Sequence, residues 1–265
     1  MSSYDQKINK IFYFWLISSL LMIILMVVIG GLTRLTNSGL SITKWELVKG
    51  ILPPLNLKQW NLYFDYYKQI PQFKLVNNNI TLQEFKIIFY WEYIHRLLGR
   101  IIGLFFLLPL IYFYLKKKIN PRYLSVCYLI MFLIILQGII GWYMVKSGLV
   151  NNITVSHYRL SLHLFVAFII ISLLFWNILN VKNNTVKNFF KKDNSYFSTT
   201  QYILILLIYS QIILGAFVSG LDAGKLYQTW PLMNYSYFPD DIQIKSISDF
   251  LDFKNLSLIQ FYHRN

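Results

Sequence analysis

Ile87-Ile-Phe-Tyr-Trp-Glu-Tyr-Ile-His-Arg-Leu-Leu-Gly-Arg-Ile-Ile-Gly-Leu-Phe-Phe-Leu-Leu-Pro-Leu-Ile-Tyr-Phe-Tyr-Leu115 is the stretch on which the fold turns. A bilayer core needs about 20 apolar residues per helix, and this stretch is long enough to cross with tilt. Its second half, from Ile101 onward, is purely apolar, but its first half carries Glu92, His95, Arg96 and Arg100. The first half of such a helix is expected to face something polar. On either side lie four runs free of Asp, Glu, Lys and Arg: 11–32, 123–145, 160–181 and 201–221. Each reads as a membrane span. In chain order the chain thus carries five.

The composition agrees. The 265 residues are 56% hydrophobic and 14% charged, against about 45–50% and 25% for soluble domains. An ordinary soluble domain is excluded, and so is intrinsic disorder, which needs few apolar residues. The net charge of +14 comes from 25 basic and 11 acidic residues. On an apolar chain this reads as basic loops held on one side of a membrane, not as a nucleic-acid surface; no RNA- or DNA-binding module is visible. The single cysteine, Cys127, excludes an intramolecular disulfide and a cysteine-built metal site. The first run is too long for a signal peptide and lacks a small-residue cleavage site.

A sixth span is expected to begin near Asn255, and the chain ends within it after 11 residues. Short loops report orientation best. Lys116, Lys117, Lys118 and Arg122 follow the second span, and Lys182, Lys187, Lys191 and Lys192 against Asp193 follow the fourth. Both loops are expected on the cytoplasmic side, with Lys7, Lys10 and the amino terminus. Loop 222–254 holds five acids and three bases, which suits the opposite face. The basic loop 33–86 is the exception and, at that length, a weak reporter.

The second, fourth and sixth spans then all run inward. They carry His95, His163 and His263, all expected in the outer half of the bilayer. An imidazole in hydrocarbon is costly and reads as functional by default. Two on parallel helices at similar depth can hold a flat macrocycle as axial ligands. Zinc wants three or four ligands, and no further ligand is obviously placed for it. His157, beside Tyr158 and Arg159, reads as an interfacial loop residue. Glu92 and His95 share one helical face, with Arg96 four residues after Glu92. Two readings stay open: an intramembrane salt bridge, or a carboxylate facing a substrate with Arg96 and Arg100 meeting the acidic groups of a cofactor. Gly99 and Gly103 form a small-xxx-small pair that allows close packing.

The chain also repeats itself. The first span ends Val-Val-Ile-Gly30-Gly-Leu-Thr-Arg, and the fifth ends Ile213-Leu-Gly-Ala-Phe-Val-Ser-Gly. Lys44-Trp45 is echoed by Thr229-Trp230, and Pro53-Pro54 by Pro239. His95-Arg96 is echoed 168 residues on by His263-Arg264. The expected fold is therefore all-α and polytopic: a parallel repeat of two four-helix bundles, eight helices in full, of which this chain supplies about five and a half. Residues 1–181 form the amino-terminal bundle and 182–265 an incomplete second one.

Gly30-Gly31-Leu-Thr-Arg34, Ser38-Gly39-Leu40-Ser41, Lys49-Gly50 with Pro53-Pro54, Glu92-Tyr-Ile-His95-Arg96 with Gly99-Arg100, Tyr158-Arg159-Leu-Ser-Leu-His163, Thr229-Trp-Pro-Leu-Met233 and His263-Arg264 together resemble the heme A synthase family. The likeness is strongest to its alphaproteobacterial and mitochondrial branch, and covers nearly the whole chain. The resemblance implies an inner-membrane oxidoreductase of two pseudo-symmetric bundles, serving terminal-oxidase assembly. It would convert a methyl group of heme O to the formyl group of heme A. By that likeness His95 and His163 would hold the substrate heme, Glu92 would be the catalytic carboxylate, and His263 would ligate a heme b cofactor. Implied partners are heme O, membrane lipid, heme O synthase and an electron acceptor of unidentified kind. The chain departs from the family in lacking the outer-loop cysteine pair of one branch and the last two helices, including the partner of His263. A truncated remnant, a b-type electron-transfer protein and a transporter are the competing expectations.

Overall fold

The computed structural model describes residues 3–46, 49–149, 153–185, 196–243 and 246–265. Lys187, Lys191, Lys192 and Asp193, on which part of the orientation expectation rests, lie outside them. Among the described residues the fold is all-α, with no named strand: α1 Ser3–Leu35, α2 Leu57–Lys68, α3 Pro71–Leu75, α4 Leu82–Lys116, α5 Pro121–Gly148, α6 His157–Lys182, α7 Tyr196–Gly220 and α8 Leu256–Arg264. Among the described residues, five segments are long and apolar enough to cross a membrane: Ile8–Leu35, Leu82–Lys116, Pro121–Gly148, His157–Lys182 and Thr199–Gly220. Large apolar side chains such as Leu21, Leu104, Leu108, Phe132 and Leu206 point outward from them. In a polytopic membrane protein such residues face lipid, and a helix suits lipid because its backbone polar groups are satisfied within the segment.

Local chemistry sets the ends. Thr81 and Glu84 form a capping box: Glu84 N–H donates to Thr81 Oγ1 at 3.3 Å, and Thr81 N–H donates to Glu84 Oε2 at 2.7 Å. The box starts α4 five residues before the apolar run does. Asn120 caps α5 ahead of Pro121, whose missing N–H costs nothing in the first turn. Asn255 caps α8 by accepting from Leu258 N at 3.1 Å. After α1, Asn37 adopts φ 52°, which brings Ser38 N–H to Thr33 O at 3.0 Å and closes the helix.

The chain clusters into two compact units: residues 1–154 with 166–191, and 155–165 with 192–265. In the first unit α1 packs along α4. Pro109 of α4 cannot donate to the carbonyl of Phe105. The Trp15 indole N–H of α1 donates to that oxygen instead, at 3.1 Å. Phe12, Trp15, Phe106 and Phe113 pack around this point, with ring centroids 4.7–5.6 Å apart. The loop after α1 contains α2 and α3. Trp60, Phe64 and Tyr67 of α2 recur at helical spacing and are buried; Phe64 and Tyr67 stack on Phe85 of α4, and Trp60 meets Phe89. In the second unit α7 packs against α8.

Candidate functional site

Glu92 is 2% exposed, and its hydrogen-bond donors among the described residues come from its own helix and from the loop after α1. Its Oε2 accepts from Ser41 Oγ at 2.7 Å and from the Ile42 N–H at 2.8 Å. Its Oε1 pairs with Arg96, from Nε at 3.0 Å and Nη2 at 2.5 Å. Arg96 Nη2 also donates to Ile42 O at 3.1 Å, and the guanidinium lies 5.3 Å from the Trp45 ring centre. One turn on, Arg100 Nη2 donates to Glu46 O at 3.2 Å, while its Nη1 is buried with no hydrogen-bond partner among the described residues. Tyr93 OH donates to Ile51 O at 2.6 Å, and Tyr63 OH to Glu46 Oε2 at 3.0 Å. Burial, then the neighbouring Glu46 carboxylate, hold the Tyr63 phenol above its ordinary pKa. The loop is thus stitched along one face of α4, with Glu92 at the hub. The salt bridge that the sequence left as one of two readings is formed here. A buried carboxylate demands this many donors, because taking the charge from water is expensive unless it is paired and hydrogen-bonded.

The structure brings Glu92, His95, Arg96 and Arg100 together on α4, within the first unit. His163 on α6 and His263 on α8 belong to the second. His95 lies against Gly30 of α1: a methyl built there would sit 3.1 Å from Cε1 and 3.5 Å from Nδ1 of the imidazole. His263 lies against Gly215 of α7, where the same methyl would be 3.0 Å from Cε1. The Nδ1 of His263 is buried and has no hydrogen-bond partner among the described residues. His157 is not a loop residue but the first residue of α6. Its ring packs between Tyr158 and Phe217, at 4.1 and 5.3 Å, and its Cα and Cβ lie against Gly220 of α7, because the helix starts earlier than the apolar run.

Gln260 is a site residue that sequence reasoning missed. It lies three residues before His263, as Glu92 does before His95, so the 168-residue offset that pairs the histidines pairs these two as well. Gln260 is 4% exposed. Its amide holds both backbone groups of one residue in the loop after α7, accepting from Tyr227 N at 3.0 Å and donating to Tyr227 O at 2.8 Å. Arg264 donates to the carbonyls of Thr229, at 2.7 Å, and of Tyr227. Below them, Tyr227 OH and Ser257 Oγ donate to Asp241 at 2.7 and 2.6 Å. Burial alone would raise the Asp241 pKa, but these donors outweigh it and hold the carboxyl below its ordinary value.

This is a polytopic helical membrane protein in which two units each present a histidine on one helix to a glycine on another, beside an arginine that fastens a loop. The comparisons place it further. The family model described as "Cytochrome oxidase assembly protein" matches residues 13–265, and the chain belongs to that family. It is 52% identical to the heme A synthase of Pelagibacter ubique (strain HTCC1062) over 251 residues, 95% of this chain and 73% of the relative. It is 45% identical to the heme A synthase of Rickettsia massiliae (strain Mtu5) over 253 residues, 94% of this chain and 74% of the relative. The heme A synthase of Rickettsia canadensis (strain McKiel) is 44% identical over the same length. No solved structure matches.

Proposed function

We propose that this chain acts as a heme A synthase, oxidising a methyl group of heme O to the formyl group of heme A for terminal oxidases. The kinship with relatives of that name over 94–95% of the chain supports the activity. The observation that carries the site is a buried carboxylate, Glu92, fixed three residues from His95 on a membrane helix. In this reading the protein is an inner-membrane enzyme with its amino terminus in the cytoplasm. The bundle 1–181 holds the substrate, and 182–265 contributes to a second heme site.

The residues fit a heme. Gly30 and Gly215 leave room for the imidazoles, and the Nδ1 of His263 is buried without a hydrogen-bond partner among the described residues. His95 and His163 would hold the iron of heme O, His263 would hold a heme b, and Arg100 and Arg96 would meet the acidic groups of a bound heme. Arg100 Nη1 has hydrogen-bonding capacity left for this; Arg96 reaches it only while also holding Glu92. A bound heme b supplies one-electron redox chemistry. Turning a methyl into a formyl group with the oxygen of water releases four electrons and four protons, so an electron acceptor would be required. Glu92 accepts a proton from the reacting carbon or stabilises positive charge developing there. Its four donors fix the carboxylate position before substrate arrives, and such preorganisation is worth most in a site shielded from water.

The test is incubation with heme O followed by pigment extraction. Hydroxylated or formyl heme supports the proposal. Unaltered heme O from a protein that binds it through histidines makes the chain a b-type electron carrier instead.

A further inference from the structure

We propose that Gly30 and Gly215 are paired positioning residues: notches in α1 and α7 that seat the imidazoles of His95 and His263 and set their orientation. The notch itself rests on geometry; its consequence for heme rests on the function proposed above. Three observations carry it. First, the contact occurs twice, in separate units, between elements that correspond in the repeat. Val28-Ile29-Gly30-Gly31 aligns with Ile213-Leu214-Gly215-Ala216, and Glu92-x-x-His95-Arg96 with Gln260-x-x-His263-Arg264. Second, the contact is tight in both units, with a built methyl 3.1 Å from Cε1 of His95 and 3.0 Å from Cε1 of His263. At such separations the ring must move if a methyl is added. Third, the neighbouring residue is a built-in contrast. Gly31 has nothing within 4 Å of the same built methyl, and its counterpart Ala216 already carries one.

Glycine is an expensive choice in mid-helix, because alanine favours the helix more. A glycine kept where its neighbour tolerates a methyl therefore answers to what lies across from it. What lies across is a flat ring that can approach the α1 or α7 backbone only if no Cβ intervenes. The backbone wall then limits rotation of the imidazole about its Cβ–Cγ bond. The protein orients a ligand ring in this way through its surroundings, and such supporting contacts commonly matter 10–100-fold in metal affinity.

The experiment compares Gly30→Ala, Gly215→Ala and Gly31→Ala with the unmodified chain in lipid nanodiscs. Before any heme is added, NMR of ring-labelled histidine reads the imidazoles directly. Gly30→Ala should move the His95 Cε1–H resonance and Gly215→Ala that of His263, with Gly31→Ala moving neither. Hemin is then titrated by absorbance, and the ferric low-spin signal is read by electron paramagnetic resonance. Gly30→Ala should weaken hemin retention by roughly tenfold or more and shift the low-spin g-values, while Gly31→Ala leaves both unchanged. If Gly30→Ala and Gly31→Ala behave alike in both measurements, the notch proposal is overturned. If the unmodified chain takes up no hemin through histidine, the proposed function fails, and the heme-free resonances still decide the notch. Should Gly30→Ala not assemble, Gly215→Ala puts the same question to the other unit.

Discussion

The two units solve one problem with different chemistry. In each, a helix that follows a long loop must fasten that loop with the residue three places before its histidine. The first unit uses Glu92, and the second uses Gln260. The amide needs no charged partner: the backbone N–H and C=O of Tyr227 meet its acceptor and its donor. The carboxylate needs one. It can only accept, so it recruits Arg96, Ser41 and the Ile42 N–H. Arg96 is therefore committed to a charge, whereas its counterpart Arg264 is free to bond two carbonyls. A loop clamp needs no buried carboxylate at this position, as the second unit demonstrates. The first unit bears the cost of burying one, which agrees with the chemical role proposed for Glu92.

That contrast can be broken in graded ways. The largest effect is expected from Glu92→Gln, which copies the second unit into the first. Heme should still bind, but turnover should fall by about two to four orders of magnitude, the usual worth of a proton-transfer group. Conversion assays on extracted pigment check this, and full activity would remove Glu92 from the mechanism. Next comes Arg96→Ala, which strands a buried carboxylate and should destabilise the first unit by about 3–5 kcal/mol; denaturant unfolding in mixed micelles measures it. Gln260→Leu should cost less, about 1–3 kcal/mol, because it orphans only the neutral N–H of Tyr227, whose C=O keeps its Arg264 donor. Its effect should be confined to the loop after α7, read by hydrogen exchange at Tyr227. The smallest is a pH effect. Asp241 has a depressed pKa in the folded chain, so its contribution is full above the ordinary carboxylate value of 3.8 and fades as pH falls through the folded one. Loop 222–254 should loosen only under acid, and Asp241→Asn should flatten that dependence in a proteolysis assay.

The spans were legible because lipid demands long apolar runs, and every run the sequence offers became a helix. Where helices begin was less so. The Thr81–Glu84 box carries α4 outward past its apolar part, so counting from the first apolar residue misplaces its start. The α2 helix was hidden because it is amphipathic and short, although Trp60, Phe64 and Tyr67 have helical spacing. At the site, Glu92, His95 and Arg96 stood out as polar residues in a span. Their partners did not: Ser41 and Ile42 lie some fifty positions away, and a backbone N–H leaves no mark in a sequence. Gln260 was readable from the repeat, but an uncharged amide draws no attention in the way an acid does.

The indole of Trp15 has a consequence at a distance. It fills the hydrogen bond that Pro109 leaves open on Phe105, and that bond exists at one axial setting of α1 against α4. Sliding either rod by a turn would strand both the indole N–H and the carbonyl in oil. Gly30 lies fifteen residues up α1 from Trp15, about 22 Å at 1.5 Å per residue. The pin at the lower end therefore indexes the upper end, and a lesion at Trp15 should be felt as misalignment of an imidazole it never touches.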